Sequence, residues 1–133
     1  MELKSILTGI EGLKVRGDLD LSIKKLESDS RAVKKGDLFV AIKGFDTDGH
    51  EYIAKAIENG AIAVLAQADT SKEQLKAIPE NITLIVAPDT RLALATAACN
   101  FYQNPSREFK LIGVTGTKGK TTTTYMIKEI LEK

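Results

Sequence analysis

The sequence predicts an α/β fold. A small N-terminal domain with a mostly parallel sheet flanked by helices is followed by a helix, a strand, a phosphate-binding loop and a terminal helix. Three observations predict it. Between residues 37 and 87, apolar runs of strand length alternate with segments of helical periodicity in the order β-α-β-α-β, the pattern of a parallel sheet covered by helices. The run Gly113-Val114-Thr115-Gly116-Thr117-Lys118-Gly119-Lys120-Thr121 is a glycine-rich turn. An apolar β-branched run precedes that turn and an amphipathic segment follows it, the context a phosphate loop requires.

Each element has its own signal. Residues 1–10 are expected to hold a short helix. Residues 23–28 and 37–42 are expected as strands, the second being the stronger, and Asp29-Ser30-Arg31 with Lys34-Lys35-Gly36-Asp37 forms the loop and turn between them. Residues 44–49 form a polar loop. A helix over 50–59 places Ile53, Ala56 and Ile57 on one face, with Asp48 as its cap and Gly60 as its stop. Residues 61–66 are a continuous apolar strand, 71–78 a helix capped by Ser71, and 82–87 another buried strand. Residues 90–102, rich in Ala and Leu, predict a helix apolar on more than one side and buried between layers. Residues 109–114 predict a buried strand. In the last helix Met126, Ile127, Ile130 and Leu131 share a face.

A domain boundary is expected near residues 88–90, giving an N-terminal domain over 1–88 and the start of a second over 89–133. The second offers one strand, which needs neighbours on both sides. It is therefore expected to be the opening of a truncated nucleotide-binding domain.

The loop has a clear physical rationale. Gly116 and Gly119 let the backbone approach a phosphate and adopt positive φ. The first amides of the following helix point at the anion, aided by the helix dipole. Lys120 would reach the β- and γ-phosphates as a point charge, and Thr121 would place its hydroxyl on Mg²⁺. The pattern G-x-x-x-x-G-K-[ST] is not met in full, because Val114 stands where its first glycine belongs. The run Thr121 to Thr124 has poor helix propensity, which suggests hydroxyls serving something other than helix stability.

Composition excludes several classes. With 28% charged residues and a net charge of +1, no basic block for nucleic acid is present. One cysteine, Cys99, excludes an internal disulfide and is expected to be a small buried hydrophobe. One histidine, His50, excludes a His-rich metal site and is expected to be structural. No signal peptide or stretch of transmembrane length is evident, so the expectation is a soluble cytoplasmic protein without membrane partners.

Asp29-Ser30-Arg31, then 36–42, Gly44, Asp48-Gly49-His50, Ala56-Ile57, Gly60-Ala61 and Val64 together resemble the N-terminal domain of the Mur ligases. The closing Gly-Val-Thr-Gly-Thr-Lys-Gly-Lys-Thr-Thr resembles their ATP loop, and the likeness spans residues 29–133. The Thr-Gly-Thr form looks more like the UDP-N-acetylmuramyl-tripeptide synthetases (MurE type) than the D-Ala-D-Ala-adding ligases (MurF type), which usually carry Thr-Gly-Ser. Lys118 stands where the family usually has Asn.

The resemblance implies a P-loop ATPase domain and ATP-dependent amide formation in peptidoglycan-precursor synthesis. In that reaction a diamino acid is added to UDP-N-acetylmuramoyl-L-alanyl-D-glutamate through an acyl phosphate, with Mg²⁺. It implies ATP contacts from Thr115, Gly116, Thr117, Lys118, Gly119, Lys120, Thr121 and Thr122, with Lys120 catalytic and Thr121 on the metal. It implies Ser30 as a contact to the UDP-sugar substrate, UDP-N-acetylmuramoyl-dipeptide, with Phe45, Asp46 and Thr47 flanking the uridine or its diphosphate. This stretch of chain by itself is expected to be inactive. The residues alone leave alternatives open. Asp29 and Ser30 also suit a plain turn with Arg31 paired to Asp29 or Asp37, and the whole chain also suits a MurF-type fragment, a small P-loop kinase or NTPase, or a non-catalytic binding module.

Overall fold

The computed structural model describes residues 1–45 and 47–132. Among them, β1 (Lys14–Arg16), β2 (Leu26–Glu27), β3 (Leu38–Val40), β4 (Ala63–Gln67) and β5 (Thr83–Ala87) form one five-stranded sheet in the order β1-β5-β4-β3-β2. The four strands β2 to β5 are parallel, and β1 closes one edge antiparallel to β5. This agrees with the mostly parallel sheet expected of the N-terminal domain.

Helices cover both faces. On one lie α1 (Leu3–Ile6) and α4 (Thr90–Phe101); on the other lie α2 (Ile53–Glu58), entered through a 3-10 turn at Gly49–Tyr52, and α3 (Lys72–Lys76). Strand periodicity decides which residue serves which face. Leu38, Val40, Ala63 and Leu65 pack with Leu3, Ile6, Ala93 and Ala97. Phe39, Ala41, Val64 and Ala66 pack with Ile53, Ala56 and Ile78. A strand buried on both faces has no polar alternation, which is why β4 reads as a continuous apolar run.

Local chemistry sets the helix ends. Ser71 Oγ accepts from Gln74 N at 3.2 Å, as expected of a cap. Asp89 Oδ1 accepts from Arg91 N at 2.8 Å and Leu92 N at 3.1 Å, starting α4. At the end of α2, Gly60 N donates to Ile57 O at 3.0 Å and Ala61 N to Ala56 O at 3.0 Å, a Schellman motif with Gly60 at φ +114°.

Several expectations are corrected. α4 is not apolar-buried on several sides: Thr90, Ala93 and Ala97 form its one buried stripe, Leu92 is 67% exposed and Cys99 is exposed. Among the described residues one layer lies against this helix, so one stripe is covered. It packs onto the N-terminal sheet beside α1, where Asn100 Nδ2 donates to Ile6 O and Thr8 O at 2.9 and 2.8 Å.

Residues 109–114 do not form a strand. They carry no strand pairing, with Leu111 70% and Ile112 59% exposed. A strand is defined by its ladder, and among the described residues none lies beside this segment. The helix after the loop, α5 (Lys120–Leu131), does form. No helix among the described residues is long and apolar enough to cross a membrane.

Candidate functional site

In open α/β sheets, ligands lie outside the carboxyl ends of the parallel strands. At the carboxyl ends of β2 and β3 the structure opens a groove of about 650 Å³. Ser30 and Arg31 line one side; Thr47, Tyr52 and Lys55 also line it, and Phe39 reaches it from β3. Of the residues expected to meet substrate, Ser30 and Thr47 are thus brought to one groove. Phe45 is fully exposed and does not line it. Asp46 lies outside the described residues.

The Ser30 side is built by two acidic residues, Glu27 and Asp29. Glu27 Oε2 accepts from Lys25 Nζ at 2.5 Å, while its Oε1 accepts from Ser28 N at 3.0 Å and Asp29 N at 3.1 Å. The Lys25 ammonium bonded to it holds the Glu27 carboxyl below its ordinary range. Asp29 continues the turn: Oδ1 accepts from Arg31 N at 3.0 Å and Nε at 2.9 Å, and Oδ2 accepts from Nη2 at 2.8 Å. Asn59, at the end of α2, donates from Nδ2 to Ser30 O at 2.8 Å. Ser30 is consequently buried to 7% exposure, with its backbone fixed at both neighbours.

The forked Arg31 guanidinium lowers the Asp29 pKa from an ordinary 3.8 to about 2. A depressed carboxylate contributes stability that is present above the unfolded value and lost as pH falls through the folded one. The Asp29 turn should therefore persist to the acid side of pH 3.8 and open toward pH 2. Carbon-detected NMR titration should place the Asp29 midpoint near 2 in the wild type and return it toward 3.8 in Arg31→Ala. Equal midpoints would show that Arg31 does not hold the Asp29 carboxylate.

The other side hangs on His50. Asp48 Oδ1 accepts from His50 N at 3.0 Å, which caps the 3-10 turn as the sequence suggests. His50 Nε2 accepts the Gln67 N–H at 3.0 Å, so its hydrogen resides on Nδ1 and is donated to Asp48 Oδ1 at 2.5 Å. Burial opposes ionisation of Asp48, but these two His50 bonds outweigh it and keep the carboxyl below its ordinary range. Both ring nitrogens are engaged and the ring is buried, so His50 joins the loop to the end of β4. Gly44 N donates to Thr47 O at 2.8 Å and closes the loop on itself.

The phosphate loop sits apart; none of residues 115–122 lines the groove. Gly116 has φ +150° and Gly119 φ +77°, both in the region that favours glycine. A Cβ at Gly119 would meet nothing within 4 Å, so the approach to the start of α5 is open. Lys120 Nζ donates back to Gly116 O at 2.5 Å, folding the ammonium over the loop. Thr123 and Thr124 hydroxyls donate to Gly119 O at 2.9 Å and Thr121 O at 2.7 Å, so part of the threonine run does serve the helix. Among the described residues no such bond ties Thr121 or Thr122. Free helix-start amides, a lysine ammonium held over the loop and two available hydroxyls form a donor set that fits a nucleotide phosphate with its cation.

Three contributors carried no sequence signal. Tyr52, at the end of the 3-10 turn, and Lys55, in α2, line the groove from a helix start, and Asn59 acts from a helix end on a residue far away in sequence.

Residues 22–102 match the family model described as Mur ligase family, catalytic domain. The chain belongs to the Mur ligase family. That match contains the groove and α4 but stops short of the phosphate loop. A Mur ligase of Clostridium tetani, UDP-N-acetylmuramoyl-L-alanyl-D-glutamate--2,6-diaminopimelate ligase, is 45% identical over 133 residues, 100% of this chain and 27% of its own. The ligase of the same name from Syntrophomonas wolfei is 50% identical over 119 residues, 88% of this chain and 23% of its own. The chain thus spans about a quarter of the length of these relatives. Among solved Mur ligases, MurF from Acinetobacter baumannii superposes with a TM-score of 0.72 at 28% identity, covering 98% of this chain and 27% of that one. MurF from Thermotoga maritima in complex with ADP gives 0.55 at 33% identity, covering 78% and 22%.

Proposed function

We propose that this chain carries the UDP-sugar-binding unit and the ATP loop of a MurE-type ligase. That ligase joins 2,6-diaminopimelate to UDP-N-acetylmuramoyl-L-alanyl-D-glutamate in cytoplasmic peptidoglycan-precursor synthesis. The observation that carries this reading is the groove holding Ser30 and Thr47 at the carboxyl ends of β2 and β3. The 45% identity to a ligase of that name across all 133 residues supports it, and supports 2,6-diaminopimelate as the amino acid. We assign residues 1–88 to the substrate unit and 89–133 to the start of the ATP unit, with α4 folded back onto the former.

In this assignment the buried Ser30 hydroxyl contacts the UDP end of the substrate. Thr47 adds a second hydroxyl, and Arg31 and Lys55 supply positive charge at the rim. Phe45 and Asp46 flank the uridine or its diphosphate from the loop. Lys120 exchanges its neutral acceptor, Gly116 O, for phosphate oxygens, a stronger charge-assisted partner. The amides of Thr115 to Thr122 wrap the phosphates, and Thr121 offers its hydroxyl to Mg²⁺. Bound ATP supplies the phosphoryl group that activates the substrate carboxylate for attack by the amine.

Isothermal titration of UDP-N-acetylmuramoyl-L-alanyl-D-glutamate into wild type and Ser30→Ala tests the assignment. Loss of one hydrogen bond to a charged group should weaken binding by about tenfold or more. Equal affinities, or no heat from either protein, would count against it. The likeness to MurF structures supports a second reading, a D-Ala-D-Ala-adding ligase, and tighter binding of the UDP-muramoyl tripeptide than of the dipeptide would favour it.

A further inference from the structure

We propose that Arg91, in the first turn of α4, is a positioning residue for the loop at Lys43 to Phe45 and Thr47 and, through it, for one side of the groove. This rests on the groove being the UDP-sugar site. The Asp89 cap fixes the backbone from which Arg91 projects. Arg91 Nη2 donates to Lys43 O at 2.8 Å, a bond spanning 48 residues of sequence. The same guanidinium lies 5.8 Å from the centroid of the Phe45 ring. One side chain therefore holds both the entry of the loop, at Lys43, and its tip, at Phe45.

Core packing cannot hold that tip, because the Phe45 ring is fully exposed. Past the tip, the loop is anchored by His50; before it, by a Lys43–Asp69 pair at 3.6 Å, which is exposed and loose. Arg91 supplies the hold between these anchors, where Thr47 must be presented to the groove. A planar guanidinium can donate along one edge while offering its face to a ring, and a lysine ammonium cannot reproduce both. Arg91 does not line the groove, so its effect on ligand passes through the loop.

The test is amide hydrogen exchange at Gly44, whose N–H bonds Thr47 O, together with UDP titration, on wild type, Arg91→Ala, Arg91→Lys and the exposed neighbour Leu92→Ala. Arg91→Ala should speed Gly44 exchange by about tenfold and weaken UDP by about three- to tenfold, with the thermal midpoint unmoved. Arg91→Lys should fall between, and Leu92→Ala should match wild type. Unchanged Gly44 exchange in Arg91→Ala overturns the tether. Faster exchange with unchanged UDP affinity overturns the positioning role. If wild type itself fails to bind UDP, the site assignment falls, and the Gly44 exchange decides the tether on its own.

Discussion

Gly60→Ala is expected to lower the unfolding free energy by about 2–5 kcal/mol, the sum of left-handed strain and steric displacement. Gly60 is the C′ residue of α2 at φ +114°. A Cβ there would lie 2.8 Å from both the N and Cα of Lys35, which is backbone and cannot swing away. Gly60 O also accepts from Gly36 N at 3.1 Å, so displacement would pull on the turn that leads into β3. The neighbouring Asn59 holds Ser30, so lost stability should come with weakened UDP binding. Gly60→Asn separates the two causes. Asparagine tolerates left-handed φ but still carries a Cβ, so it should be nearly as harmful as alanine. A near-normal denaturation midpoint for Gly60→Asn would show that backbone conformation alone matters.

Phe39→Ala should cost about 3–5 kcal/mol, a large share of the stability of a domain this size. Phe39 is fully buried at the centre of β3 and heads the cluster that joins the sheet to α2. The relaxing cavity would open toward the groove, whose floor includes the same ring. Phe39→Leu keeps most of the volume and should cost no more than about 1.5 kcal/mol. Urea denaturation measures both. A Phe39→Ala loss below that of Phe39→Leu would show that this face of the sheet is not the packed core described.

The parts of the fold legible in sequence were those whose signal is local. β3, β4 and β5 are buried on both faces and announce themselves as apolar runs, and the caps at Asp48, Ser71 and Gly60 each act within a few residues. β1 is silent because Lys14-Val15-Arg16 is an exposed edge, held by pairing with β5 rather than by its own pattern. Residues 109–114 failed in the opposite sense: the composition of a strand is present, but the ladder is a property of two segments. Cys99 is exposed and not buried; an Ala-rich helix hides which side faces the sheet. At the site, the turn chemistry of Asp29-Ser30-Arg31 was visible. The contributions of Tyr52, Lys55, Asn59 and Arg91 were not, since each depends on where a helix end lands in space.

The groove beside Ser30 is the proposed UDP site. NMR chemical-shift mapping with UDP tests it most directly. The amides of Ser28, Ser30, Arg31, Thr47 and Tyr52 should move together and saturate with one dissociation constant. Shifts centred instead on the 310 Å³ hollow between Gly9 and Leu92, or absent altogether, would contradict it.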